Sequence, residues 1–118
     1  MDKICKYIEI INDVYQEYNI YKSLILCSYD EKCIIEEQLK NLDYSVCTTR
    51  DIEKFNTMDR RMLLVGEDEL YKLNKIYEEI DVTDINLVIT LGILDTRTYL
   101  KNVKHIFISP NINVQVIE

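Results

Sequence analysis

Apolar residues recur along the first segment at alternating spacings of four and three: Ile4, Ile8, Ile11, Tyr15 and Tyr18, with Tyr7, Ile10 and Val14 widening the stripe. That period is helical and predicts an amphipathic helix with a broad buried face over 4–21. The pattern then changes. Ser23-Leu24-Ile25-Leu26-Cys27-Ser28 is a continuous apolar run of strand length, as expected of a strand buried on both faces, and Asp30-Glu31-Lys32 opens a second helix through about residue 42. The alternation repeats through a strand at 44–48, a helical or irregular piece at 51–58, a strand at 61–65 and a helix at 67–79. It ends with a strand at 85–91, a short helix at 96–102, a strand at 104–109 and a candidate edge strand at 113–117. Strands alternating with helices imply right-handed crossovers and a parallel sheet covered on both faces. The expected architecture is one domain over 1–118, a three-layer α/β/α Rossmann-like domain with a mostly parallel five- or six-stranded sheet and residues 1–21 as an N-terminal helix.

Composition narrows the picture. A chain of 118 residues that is 47% hydrophobic can bury one core. No apolar run approaches the roughly 18 residues that span a bilayer, and Met1-Asp2-Lys3-Ile4-Cys5-Lys6 leads into an amphipathic stretch and not a signal-peptide core, so a cytoplasmic protein without a membrane partner is expected. Cys5, Cys27, Cys33 and Cys47 form no Cys-x-x-Cys, and a single histidine leaves zinc without clustered ligands. They read as buried free thiols, with Cys27 and Cys47 inside strand-like runs. The absence of Ala and Trp, with abundant Ile, Asn, Lys, Tyr and Asp, follows AT-rich codons.

A net charge of −7 opposes a primary nucleic-acid role, and no DNA partner is expected, because clustered cations supply most non-specific affinity for phosphates. Arg50, Lys54, Arg60 and Arg61 crowd one segment and are the candidate RNA contacts. Asp51, Glu53 and Asp59 are interleaved with them, the pattern of a solvated mixed-charge surface.

In open α/β sheets, ligands bind at the carboxyl ends of the strands. Here those ends read Ser28-Tyr29-Asp30, Thr48-Thr49-Arg50, Gly66-Glu67-Asp68, Gly92-Ile93 and Ser109-Pro110. The two glycines, Gly66 and Gly92, are too far apart to form a phosphate-cradling loop, which excludes the P-loop and dinucleotide fingerprints. His105 opens a strand with no carboxylate identifiable as its partner, and no serine stands in a G-x-S-x-G turn. No catalytic, cofactor-binding or metal-ligating residue is assigned.

From Ser23 onward the chain resembles the C-terminal RecA-like domain of superfamily 2 helicases of the DEAD-box type. Leu24-Ile25-Leu26-Cys27-Ser28 is similar to that family's first strand, and Met62-Leu63-Leu64-Val65 to the strand before its Thr-Asp and Arg-Gly-x-Asp motif. Ile80-Asp81-Val82 followed by Ile85-Asn86-Leu87-Val88-Ile89 resembles the end of that motif and the next strand. The departures fall on the chemistry: Glu78-Glu79 stands where the family has Arg-Gly, and 96–105 offers only Arg97 in place of the arginine-finger run. The resemblance therefore implies a degenerate half-helicase, with no cation to stabilise phosphoryl transfer. A second resemblance is to receiver domains of phosphorelay proteins, with Asp30, Glu31, Glu67, Asp68, Thr90 and Ser109-Pro110 near the acidic, Thr and Lys-Pro positions, but with Gly66 near the phosphoacceptor position. Glu67, Asp68 and Glu69 also read simply as carboxylates in a helix's first turn. The leading expectation is a non-catalytic helicase-like module that binds a protein, with Tyr29, Tyr71 and Tyr99 as candidate anchors. An RNA-contacting accessory domain and a pseudo-receiver domain are the alternatives.

Overall fold

The computed structural model describes residues 2–57, 61–80, 85–92, 100 and 103–117. Helix α1 (Lys3–Glu17) starts at Asp2, whose side chain accepts the Cys5 N–H at 2.9 Å and satisfies one of the donors a helix start leaves unpaired. The helix buries Tyr7, Ile8, Ile11 and Val14 against the sheet. It ends four residues before the apolar pattern does. Tyr18 leaves in extended backbone, and Ile20 re-enters the core ahead of β1 (Lys22–Cys27).

A 3-10 turn at Tyr29–Glu31 leads into α2 (Lys32–Asn41), then β2 (Val46–Thr48), a second such turn at Thr49–Asp51 and α3 (Ile52–Thr57). β3 (Arg61–Gly66) is followed by a 3-10 segment, Glu67–Lys72, before α4 (Leu73–Glu79), so the helix expected over 67–79 is α-helical only in its second half. β4 (Ile85–Leu91), β5 (Lys104–Ile108) and β6 (Val114–Ile117) complete the order. The helix expected over 96–102 lies outside the described residues, apart from Leu100.

The six strands form one sheet in the order β2-β3-β1-β4-β5-β6, parallel except for β6, which pairs antiparallel with β5. The fold is thus the expected three-layer α/β/α Rossmann-like arrangement. Its strand order differs from the two common doubly wound orders, 3-2-1-4-5-6 and the receiver-type 2-1-3-4-5, in placing β3 between β1 and β2.

Alternate strand residues divide two cores. Ile25, Cys27, Met62, Leu64, Leu87, Ile89 and Ile106 face α1 and α2. Leu24, Leu26, Leu63, Val65 and Val88 face α3 and α4. β1 is buried at every position, which explains its uninterrupted apolar run. Each fully buried Leu or Ile contributes about 1.5–3 kcal/mol relative to an exposed one.

The cysteines need one correction. All four are free thiols, and Cys27 and Cys47 are buried, but Cys33 is exposed on α2 and Cys5 is half-buried on α1. Neither of these two lies in a strand, and a helix near solvent turns part of its circumference outward whatever residue stands there.

Candidate functional site at the carboxyl end of the sheet

Because β1 exits to α2 on one face while its neighbour β3 exits to α4 on the other, the crevice beyond β1 and β3 is the switch point where this class of fold takes ligands. Here a side chain of the chain itself reaches into it. Glu69 turns back from the segment after β3, and its carboxylate accepts the Gly66 N–H at 3.1 Å, the Lys32 ammonium from α2 and the Thr49 hydroxyl from the turn after β2. Donors from three strand ends converge on one carboxylate. Burial alone pushes the Glu69 carboxyl up, but the Lys32, Thr49 and Gly66 hydrogen bonds outweigh it and hold the group below the ordinary glutamate value. A Cβ on Gly66 would lie 2.5 Å from Asp68 Oδ1 and 3.2 Å from Lys32 Cδ, so the glycine leaves room for Lys32 to reach the carboxylate.

The neighbouring crevice, between β1 and β4, is covered by α1. Lys3 pairs with Glu31 at 3.0 Å, tying the start of the helix to the turn after β1, and Ser28 donates its hydroxyl to the same carboxylate. One turn further along, Tyr7 is fully buried with its hydroxyl against Gly92, which ends β4 with φ of 72° and donates its N–H to Ile108 at 2.7 Å. A Cβ on Gly92 would come within 2.6 Å of that hydroxyl. Burial raises the Tyr7 phenol above its usual value, so it stays protonated.

What the carboxyl end offers to solvent lies outside these plugs. A groove of about 650 Å³ runs between the turns after β1 and β2. Four carboxylates (Asp30, Glu36, Asp51 and Asp68) and two cations (Lys32 and Arg50) line it, and Lys32 is already engaged by Glu69. Tyr29 borders the groove at 69% exposure, and Tyr71, in the segment after the adjacent β3, is 72% exposed. Two outward aromatic rings at one end of a sheet, beside a net-acidic groove, form a surface suited to an aromatic- or cation-bearing partner.

The remaining candidates scatter. Arg50 follows the carboxyl end of β2, Lys54 is exposed on α3, and Arg61 opens β3 at the amino end of the sheet, its N–H bound to the Tyr21 carbonyl at 3.1 Å. Arg50 and Arg61 therefore lie at opposite ends of the short β2–β3 ladder. Arg60 and Tyr99 lie outside the described residues. Thr90 is buried within β4, and His105 is fully buried, its Nε2 accepting the Leu100 N–H at 3.0 Å. Among the described residues no three His, Cys, Asp or Glu side chains cluster as a metal-binding group.

Sequence reasoning missed the Lys32–Thr49–Glu69 network. Its members are 17 and 20 residues apart, and only the β2-β3-β1 order brings them together. Glu69 belongs to the acidic run 67–69, so a first-turn carboxylate was the natural reading. No protein-family model, no curated protein and no solved structure matches the chain. Among the described residues no helix is long and apolar enough to cross a membrane.

Proposed function

We propose that the chain is a non-catalytic, helicase-like α/β module that acts by binding a protein through the carboxyl end of its sheet. The observation that carries this reading is the occupation of the switch-point crevice by the Glu69 carboxylate, which takes up the Lys32, Thr49 and Gly66 donors that a ligand's anionic group would need. Tyr7 packs against Gly92 at the next crevice, its buried hydroxyl without a hydrogen-bond partner among the described residues. Beside the Glu69 crevice the exposed chemistry is that of an interface: Tyr29, Tyr71 and an acidic groove. The sequence departures support the same reading, since Glu78-Glu79 replaces an Arg-Gly and the arginine-finger run is missing.

The test is a tagged pull-down from native cells, with and without RNase, comparing wild type with a Tyr29→Ser/Tyr71→Ser variant. Both rings are exposed, so the substitutions spare the core. A defined protein that survives RNase and is lost with the double substitution is the expected result. Partners that vanish on RNase treatment and are indifferent to the tyrosines would overturn it, and would move the weight to RNA contact through Arg50, Lys54, Arg60 and Arg61.

A further inference from the structure

Among the described residues β6 is an unpaired edge of the sheet, and it carries a second surface distinct from the groove beside Tyr29. β6 is the last strand in the sheet order, and all four of its residues are exposed, Val114 and Val116 at 48% each. A sheet edge presents unpaired N–H and C=O groups, and proteins that stay monomeric usually protect it with charge, proline, a bulge or a very short strand. The opposite edge has such protection: β2 is three residues long, its central Cys47 is buried, and the charged Arg50-Asp51 follows at once. Val114-Gln115-Val116-Ile117 contains no charge and no proline, and a single charge, Glu118, comes directly after it in the sequence.

We infer that β6 is a self-association edge, at which a second copy of the chain pairs antiparallel about a two-fold axis through Gln115 and joins the two sheets into one. The register of β6 selects a second copy. An antiparallel two-fold pairing keeps the faces of the two sheets aligned, so residues opposite one another must share a face. An axis at Gln115 sets Val114 opposite Val116 of the second copy and Val116 opposite its Val114. On β5 these valines stand beside Ile108 and Ile106, which belong to the core under α1. The pairing thus produces an unbroken apolar row, Ile108 and Val114 of one copy meeting Val116 and Ile106 of the other. The same axis brings Ile117 of the second copy opposite Asn113, beside an apolar hollow of about 470 Å³ that Phe107 and Pro110 also line.

Charge permits it: each copy carries −7, so two copies repel wherever carboxylates would meet, and Val114-Gln115-Val116-Ile117 contributes none. Area limits it. A four-residue edge covers less than the roughly 800 Å² per partner of a standard stable interface, so the association is weak and depends on concentration. Added salt should strengthen it, because screening removes the long-range repulsion and leaves the apolar contact.

Sedimentation velocity on the full chain, from low micromolar to submillimolar concentration, tests this. The expected result is a reversible monomer–dimer equilibrium that shifts towards dimer with added salt. Val116→Lys should lower the association constant by about tenfold or more, while Val116→Thr, which keeps β-branching, should retain most of it. Val116 is half-exposed in one copy, and circular dichroism with thermal melting confirms that both variants fold. A wild type that stays monomeric throughout the range overturns the proposal. So does a dimer that Val116→Lys and Val114→Lys leave unchanged.

Discussion

The Glu69 carboxylate is held by donors that arrive from the ends of three strands, and its ionisation is therefore coupled to how those ends sit together. Its folded pKa lies below the ordinary value, so the folded state favours the ionised form. The resulting stability is fully present above the unfolded pKa of about 4.3 and is lost as pH falls through the folded value. Glu69→Gln keeps one acceptor oxygen, at either the Gly66 or the Thr49 position, and loses the charge facing Lys32. It should cost about 1 kcal/mol at neutral pH, with the gap to wild type closing as pH falls below about 4.3. Urea unfolding measured from neutral to acidic pH checks this, and a gap that does not change with pH would show that the carboxylate's charge is not what the donors hold.

At the scale of elements, the end of α2 is informative. Leu42 closes the helix, Asp43 takes φ of 66°, its N–H donates to the Lys40 carbonyl at 3.0 Å, and the Tyr44 N–H reaches back to Leu39 at 3.2 Å. This is the Schellman arrangement, usually built on glycine, with an aspartate in the left-handed position. Asp43→Gly should stabilise the protein by about 0.5–1 kcal/mol by removing that cost, read as a higher melting temperature. A lower one would mean that the Asp43 side chain contributes something glycine cannot.

The same helix end explains why the strand expected over 44–48 begins two residues late: Tyr44 is committed to the cap, and its hydroxyl donates to Asn12 at 2.5 Å. Hydrophobic period made the long elements legible, because α1 and β1 bury residues at the spacings their geometry demands. The end of α1 and the 3-10 start of the segment after β3 were not legible, since backbone hydrogen bonding and not side-chain polarity decides them.

At the scale of the whole molecule, strand order was the decisive unknown. Alternating elements predicted a parallel sheet, but nothing in a local pattern says that β3 inserts between β1 and β2. That insertion brings Lys32, Thr49 and Glu69 to one point and sends Arg50 and Arg61 to opposite ends of the β2–β3 ladder. Tyr29 and Tyr71, expected as anchors because tyrosine is plentiful here and amphipathic, are both among the exposed large side chains. Glu69 and Tyr7 reach the crevices beside β1 from within the chain, and the proposed non-catalytic reading rests on that placement.

The most direct test titrates the purified full chain with Mg-ATP, following thermal stability together with phosphate release. No shift in melting temperature and no turnover are expected up to millimolar nucleotide. A saturable shift accompanied by phosphate release, both lost in Lys32→Ala, would contradict the non-catalytic reading and make the switch-point crevice a working nucleotide site.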